Sequence, residues 1–271
     1  MHFDQLLQQA TAIGQLPVAE RNTATMQFPA NWCQGRTAFG GLSAALLYQA
    51  MRQQISSERR LLSISTNFVG PLLADTDFSM VVDILREGKN STQVLAKAVQ
   101  NNQVSVVVQA CFAKARNSAI HVPVSKKMTL KPVDARHTLP FQSNTMPAFF
   151  QHVDLCPQQG AMPFSAADSS HLGGWMKLKH ATDAINEAHI IALTDAWPPT
   201  LLQMFKQPAP ASSMSWYLEF VQAPQLASDE WLGFEAMTHH CKDGYGLEDG
   251  CIWSQAGELL ALTRQTVALF D

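Results

Sequence analysis

The sequence predicts an α+β chain of two similar halves. Three observations predict it. One substantial helical segment followed by about four strand-like runs occurs twice along the chain. The segment Ser65-Thr66-Asn67-Phe68-Val69-Gly70-Pro71 is echoed by Tyr217-Leu218-Glu219-Phe220-Val221-Gln222-Ala223-Pro224, with one residue inserted. Of 271 residues, 46% are apolar and only 15% charged, which supplies a large core and large buried surfaces.

In the first half, residues 39–55 place Leu42, Leu46, Leu47, Ala50 and Met51 at helical spacing behind Gly40-Gly41. Strand-like runs follow at 61–69, 78–85, 91–100 and 104–115, the last carrying a β-prone Val-Val-Val. Residues 117–144 are richer in Pro, Ser, Lys and Thr and lack an apolar period, so they read as a surface connection. In the second half, 149–155 and 175–179 read as strands. Residues 185–197 read as a helix stopped by Pro198-Pro199, and 200–206 as a further helical turn. Strands are expected at 213–220, 232–240, 245–254 and 258–269. Consecutive strands favour antiparallel pairing, with a helix over one sheet face. The expected division is a first domain over 1–125, a linker over 126–145 and a second domain over 146–271.

Several classes are disfavoured. Nineteen Lys plus Arg against 22 Asp plus Glu leave a formal charge of -3 and no basic run, which argues against nucleic-acid binding. The five cysteines are scattered without a C-x-x-C pair, so neither a disulfide framework nor a zinc site is expected. Reduced thiols suit a cytoplasmic protein. No signal peptide and no membrane span is read in the sequence. Gly41-Leu42-Ser43-Ala44-Ala45 only loosely echoes a nucleophile elbow and lacks its final glycine.

The order of elements resembles the tandem, or double, hotdog fold, and the phrases along it resemble the acyl-CoA thioesterase II and thioesterase-like superfamily. These phrases are Phe39-Gly40-Gly41, Phe68-Val69-Gly70-Pro71 and Leu85-Arg86-Glu87-Gly88-Lys89-Asn90-Ser91. In the second half they are Leu193-Thr194-Asp195-Ala196-Trp197-Pro198-Pro199, Gly244-Tyr245-Gly246, and Ile252 to Ala261, closing on Gln265. The resemblance implies a double hotdog of two antiparallel sheets, each wrapped on a central helix, with a pocket between the halves. It implies hydrolysis of an acyl-CoA without cofactor or metal, and it allows a homodimer of such chains. It also implies three residues that hold a water. Asp195 and Gln265 match the family's Asp and Gln. The hydroxyl position falls at Ser213, where better-known members are often Thr, with Ser215 the alternative if the register slips by two. The corresponding first-half position is Leu61. The resemblance further suggests that free N–H groups at Gly40 and Gly41 hold the thioester oxygen.

The residues themselves also admit quieter roles. Asp195 follows Ala188, Ile191 and Ala192 on an apolar stripe, yet could simply cap the turn at Pro198. By simple alternation Ser213 lies on the face opposite Trp216, Leu218 and Phe220, and could be only a strand-start serine. Gln265 could be a solvated strand glutamine, and Gly40-Gly41 a packing turn. A non-catalytic acyl-binding or assembly module is the competing reading of the whole chain.

Overall fold

The computed structural model describes residues 1–180 and 184–270. Its strands are β1 (Thr25–Gln27), β2 (Cys33–Gln34), β3 (Thr37–Ala38), β4 (Arg60–Phe68), β5 (Asp77–Glu87), β6 (Ser91–Gln100), β7 (Gln103–Ala113), β8 (Val153–Gln159), β9 (Leu172–Leu178), β10 (Ala211–Phe220), β11 (Leu232–Lys242), β12 (Tyr245–Trp253) and β13 (Leu259–Leu269). Apart from the β2–β3 hairpin, they form one antiparallel sheet of 11 strands in the order β1-β5-β6-β7-β4-β10-β13-β12-β11-β9-β8. The expected two sheets are therefore one. Ser65 and Tyr217 pair at the β4–β10 junction, so the edges that would end each half-sheet satisfy one another's backbone groups instead of meeting water.

The junction carries the internal duplication. The offset of 152 residues between Phe68 and Phe220 is also that between the paired Ser65 and Tyr217, so a pseudo-two-fold passes between these two residues. Irregularities recur at corresponding places. The shift between Leu61 and Ser63 answers that between Ser213 and Ser215. Those at Ile84/Arg86 and Ala98/Val99 answer those at Thr238/His240 and Ile252/Trp253. A β-bulge turns every side chain beyond it to the other face unless the count is made up, so matching bulges keep both halves' inner faces apolar.

Among the described residues, four α-helices accompany the sheet: α1 (Phe3–Gln15), α2 (Val18–Arg21), α3 (Gly40–Arg52) and α4 (Glu187–Thr194). From Gly41 to Tyr48 every residue of α3 is buried, as is every residue of α4 from Ala188 to Thr194. Both are therefore central helices covered on all sides, and they pack on each other. Gly41 is required at their closest approach, because a Cβ there would lie 2.6 Å from the Ala192 carbonyl oxygen. One core cluster runs through both halves, from Phe3 to Ala261.

Three expectations are corrected. The second helix is shorter than 185–197 and ends at Thr194, leaving Asp195 at its C-cap. Residues 148–152 form a 3-10 turn, and the strand begins at Val153. Helix α1 was not foreseen. Its Phe3, Leu6, Leu7, Ala10 and Ile13 bury one face against α3, and Asp4 lies 3.1 Å from His189 of α4. The connection after β7 crosses the outer face of the second half, where Leu130 packs with Trp175 and Trp231, and the Lys131 carbonyl accepts the Trp175 indole N–H. Among the described residues, no helix is long and apolar enough to cross a membrane.

Candidate active site

Asp195 lies where the two central helices meet. Its carboxylate accepts the backbone N–H of Gly41, one of the first amides of α3, which lack an intrahelical acceptor. It thus ends its own helix and caps the other half's helix, where the positive end of the α3 dipole favours a negative group. Packing is tight. A Cβ on Gly40 would lie 2.8 Å from Asp195 Oδ2 and 2.9 Å from the Phe68 ring, and one on Gly41 would lie 2.8 Å from Asp195 Cβ. Burial pushes the Asp195 carboxyl up to about 7, opposed by the Gly41 N–H and reinforced by the negative charge of Glu248.

The bulge in β10 decides which serine faces inward. Ser213 pairs with Val267 and Trp216 with Gln265, while Ser215 pairs with Thr266. Cross-strand partners share a face, and Val267 and Gln265 are two residues apart. Ser213 therefore lies on the inner face with Trp216 and Gln265. Ser215 turns outward with Tyr217. Simple alternation placed Ser213 opposite Trp216, and the extra residue Met214 reverses that. Gln265 Nε2 donates to Ser213 Oγ. The corresponding first-half residues are Leu61 and Ala110, both buried and apolar.

The remaining expectations fare differently. Gly41, expected to offer its N–H to a thioester oxygen, lies in the first turn of α3 directly beside Asp195, and its N–H lowers the Asp195 carboxyl against the effect of burial. One cavity lies along α1 at Met1, Gln5 and Gln9, and a small one lies between Trp32, His152 and His180. No direct hydrogen bond joins Asp195 to the Ser213–Gln265 pair among the described residues.

One residue of this region escaped the sequence reading. Glu248 is buried, and its Oε2 accepts the Thr200 N–H at 2.9 Å and the Thr200 hydroxyl at 2.8 Å. It is the cross-strand partner of Gln265. A signal was present: in the run Gly246-Leu247-Glu248-Asp249-Gly250-Cys251-Ile252, alternation puts one carboxylate on the face of two glycines and an isoleucine.

Comparison with known proteins agrees with this architecture. The acyl-CoA thioesterase N-terminal domain model matches residues 28–113, and the acyl-CoA thioesterase C-terminal domain model matches 130–269. No curated protein shows significant sequence similarity. Among solved structures, a conserved protein of unknown function with a hot dog fold from Alicyclobacillus acidocaldarius is 22% identical with a TM-score of 0.79, covering 91% of this chain and 92% of its own. The tesB protein of Mycobacterium avium subs paratuberculosis is 14% identical with a TM-score of 0.74, over 98% and 100% of the two chains. An acyl-CoA thioesterase II of Mycobacterium marinum is 19% identical with a TM-score of 0.67, over 87% and 90%.

Proposed function

The chain belongs to the acyl-CoA thioesterase family and is a thioester hydrolase; from that premise we propose that it cleaves an acyl-CoA to free acid and CoA with a water held by Asp195, Ser213 and Gln265. The observation that carries this reading is the Asp195 carboxyl, set at the junction of the two central helices and raised to about 7 by burial. A free aspartate is too weak a base for this work, whereas one near neutrality suits proton transfer at the working pH.

In this reading Asp195 takes a proton from the water as its oxygen attacks the thioester carbonyl carbon. The Ser213–Gln265 pair orients that water. The tetrahedral oxyanion is held at the start of α3, where Gly40 supplies the first amide while Gly41 anchors Asp195. Collapse breaks the carbon–sulfur bond, and the proton on Asp195 passes to the departing thiolate. Atoms balance without a covalent enzyme intermediate. One site per chain is expected, since Leu61 and Ala110 replace the polar pair in the first half.

The domain division at 1–125 and 146–271 with a linker between, a cytoplasmic location and a homodimer of double hotdogs belong to the same proposal. The test is release of free thiol from a panel of acyl-CoA chain lengths, with wild-type protein and Asp195→Asn side by side. Turnover by the wild type and a fall of roughly 10²-fold or more in the variant are expected. Equal turnover would remove Asp195 as the base, and no thiol release across the panel would favour the acyl-binding module.

A further inference from the structure

A polar row crosses the inner face of the second half. Thr238 of β11 pairs with Glu248 of β12, Glu248 with Gln265 of β13, and Gln265 with Trp216 of β10. The matching row of the first half is Ile84, Val94, Ala110 and Ile64, every member apolar. The fold therefore tolerates a fully buried valine where the second half carries Glu248. That comparison within one chain shows that a carboxylate is not needed at this position to build the sheet.

Glu248 is also a costly choice. It is 7% exposed, and burial, reinforced by the negative charge of Asp249, pushes its carboxyl above the ordinary range. Its stabilising partners belong to one residue, the N–H and the hydroxyl of Thr200. The Thr200 hydroxyl donates to Glu248 Oε2. The Thr238 hydroxyl, 2.8 Å from Thr200 Oγ1, then donates to Thr200. The three groups form one directed chain from β11 to β12 through the segment between them.

That segment is the turn that follows Asp195. Thr200 is 1% exposed and opens the 3-10 turn Thr200–Met204, directly behind Pro198 and Pro199, whose fixed φ angles stiffen the link back to Asp195. Asp195 is thus tied at its carboxylate to α3 and, through Thr200, to the strand beside Gln265.

We infer that Glu248 is a positioning residue of the thioesterase site: by clamping Thr200 beside Gln265, it sets where Asp195 stands relative to the Ser213–Gln265 pair. This rests on the reading of Asp195 as the base. Glu248 itself touches neither water nor substrate in this scheme.

The experiment compares Glu248→Gln, Thr200→Val, Thr200→Ser and the double variant Glu248→Gln/Thr200→Val with wild type and Asp195→Asn, using thiol release from an acyl-CoA together with melting curves. Glu248→Gln and Thr200→Val should lower kcat roughly tenfold or more while KM stays within about twofold, because misplacement of the base spoils the reaction step rather than binding. Thr200→Ser, which keeps both donors, should restore kcat. The double variant should be no worse than its worse parent, because both changes break the same contact. A folded Glu248→Gln or Thr200→Val enzyme with wild-type kcat overturns the inference, as does a Thr200→Ser variant as slow as Thr200→Val. If Glu248→Gln fails to fold, the Thr200 pair decides alone. Loss of turnover in Asp195→Asn with wild-type turnover in Glu248→Gln defeats this inference only, while full turnover in Asp195→Asn defeats both.

Discussion

The Asp195 carboxylate accepts the backbone N–H of Gly41, so the end of one central helix caps the start of the other across the pseudo-two-fold. One contact thereby joins the two halves of the duplicated chain at Asp195. A cap and a base are usually offered as rival roles for such a residue. Here burial raises the carboxyl to about 7 while the Gly41 N–H pulls it back down, so both effects act on one group.

The pH dependence of turnover follows from that pKa. The base form of Asp195 is the ionised one, and its carboxyl is raised to about 7. Turnover should therefore rise with pH and level off above about 7. Thiol release measured with a pH-independent thiol reagent should show a single acidic limb there. A limb near the ordinary aspartate value of about 3.9 would mean that the group is not desolvated.

The same shift makes Asp195 a liability for stability. Unfolded, the carboxyl titrates near its ordinary value, and folded it holds its proton up to about 7. Between these two values the folded state binds more protons, so this group's contribution to stability falls as pH rises and then stays low. Asp195→Asn keeps an acceptor for Gly41 and removes the charge. The variant should melt above wild type at pH 8, with the gap closing as pH falls toward 4. A variant that melts lower at pH 8 would show that the charge itself stabilises α3 more than burial penalises it.

The two serines of β10 separate cleanly. Ser213 faces inward and bonds Gln265, whereas Ser215 pairs with Thr266 on the outer face. Ser213→Ala should reduce turnover by roughly ten- to a hundredfold, and Ser215→Ala should leave it within about twofold. The readout is kcat with an acyl-CoA. Equal losses at both positions would argue against the inward assignment that the bulge makes.

The paired glycines should fail differently. A methyl group on Gly41 meets the Ala192 carbonyl oxygen at 2.6 Å, a backbone atom that cannot swing aside. Gly41→Ala should therefore cost about 1–3 kcal/mol of stability, read as a lowered unfolding midpoint. On Gly40 the methyl group meets Asp195 Oδ2 and the Phe68 ring, both ends of side chains. Gly40→Ala should fold and lose turnover instead. A stable, fully active Gly40→Ala variant would mean that Asp195 can move without consequence.

The sequence by itself determined the duplicated order of helix and strands, because apolar periodicity and turn residues are local signals. It also marked Asp195, Ser213 and Gln265, through phrases whose order resembles a family. Helix α1 was legible in Leu6, Leu7, Ala10 and Ile13, although it was not read. The tertiary structure decided the rest. Alternation assumes an unbroken register, and only pairing with β13 shows that Met214 is an extra residue that turns Ser213 inward. The junction of Ser65 with Tyr217, which merges two sheets into one, joins backbone groups far apart in the chain, and backbone hydrogen bonds carry no side-chain signature. The closeness of Gly41 to Asp195 exists because α4 docks tightly against α3, which joins residues far apart in the chain. Glu248 stood in the sequence as an isolated carboxylate on a strand, and acquires a partner only when Thr200 is folded down over β12.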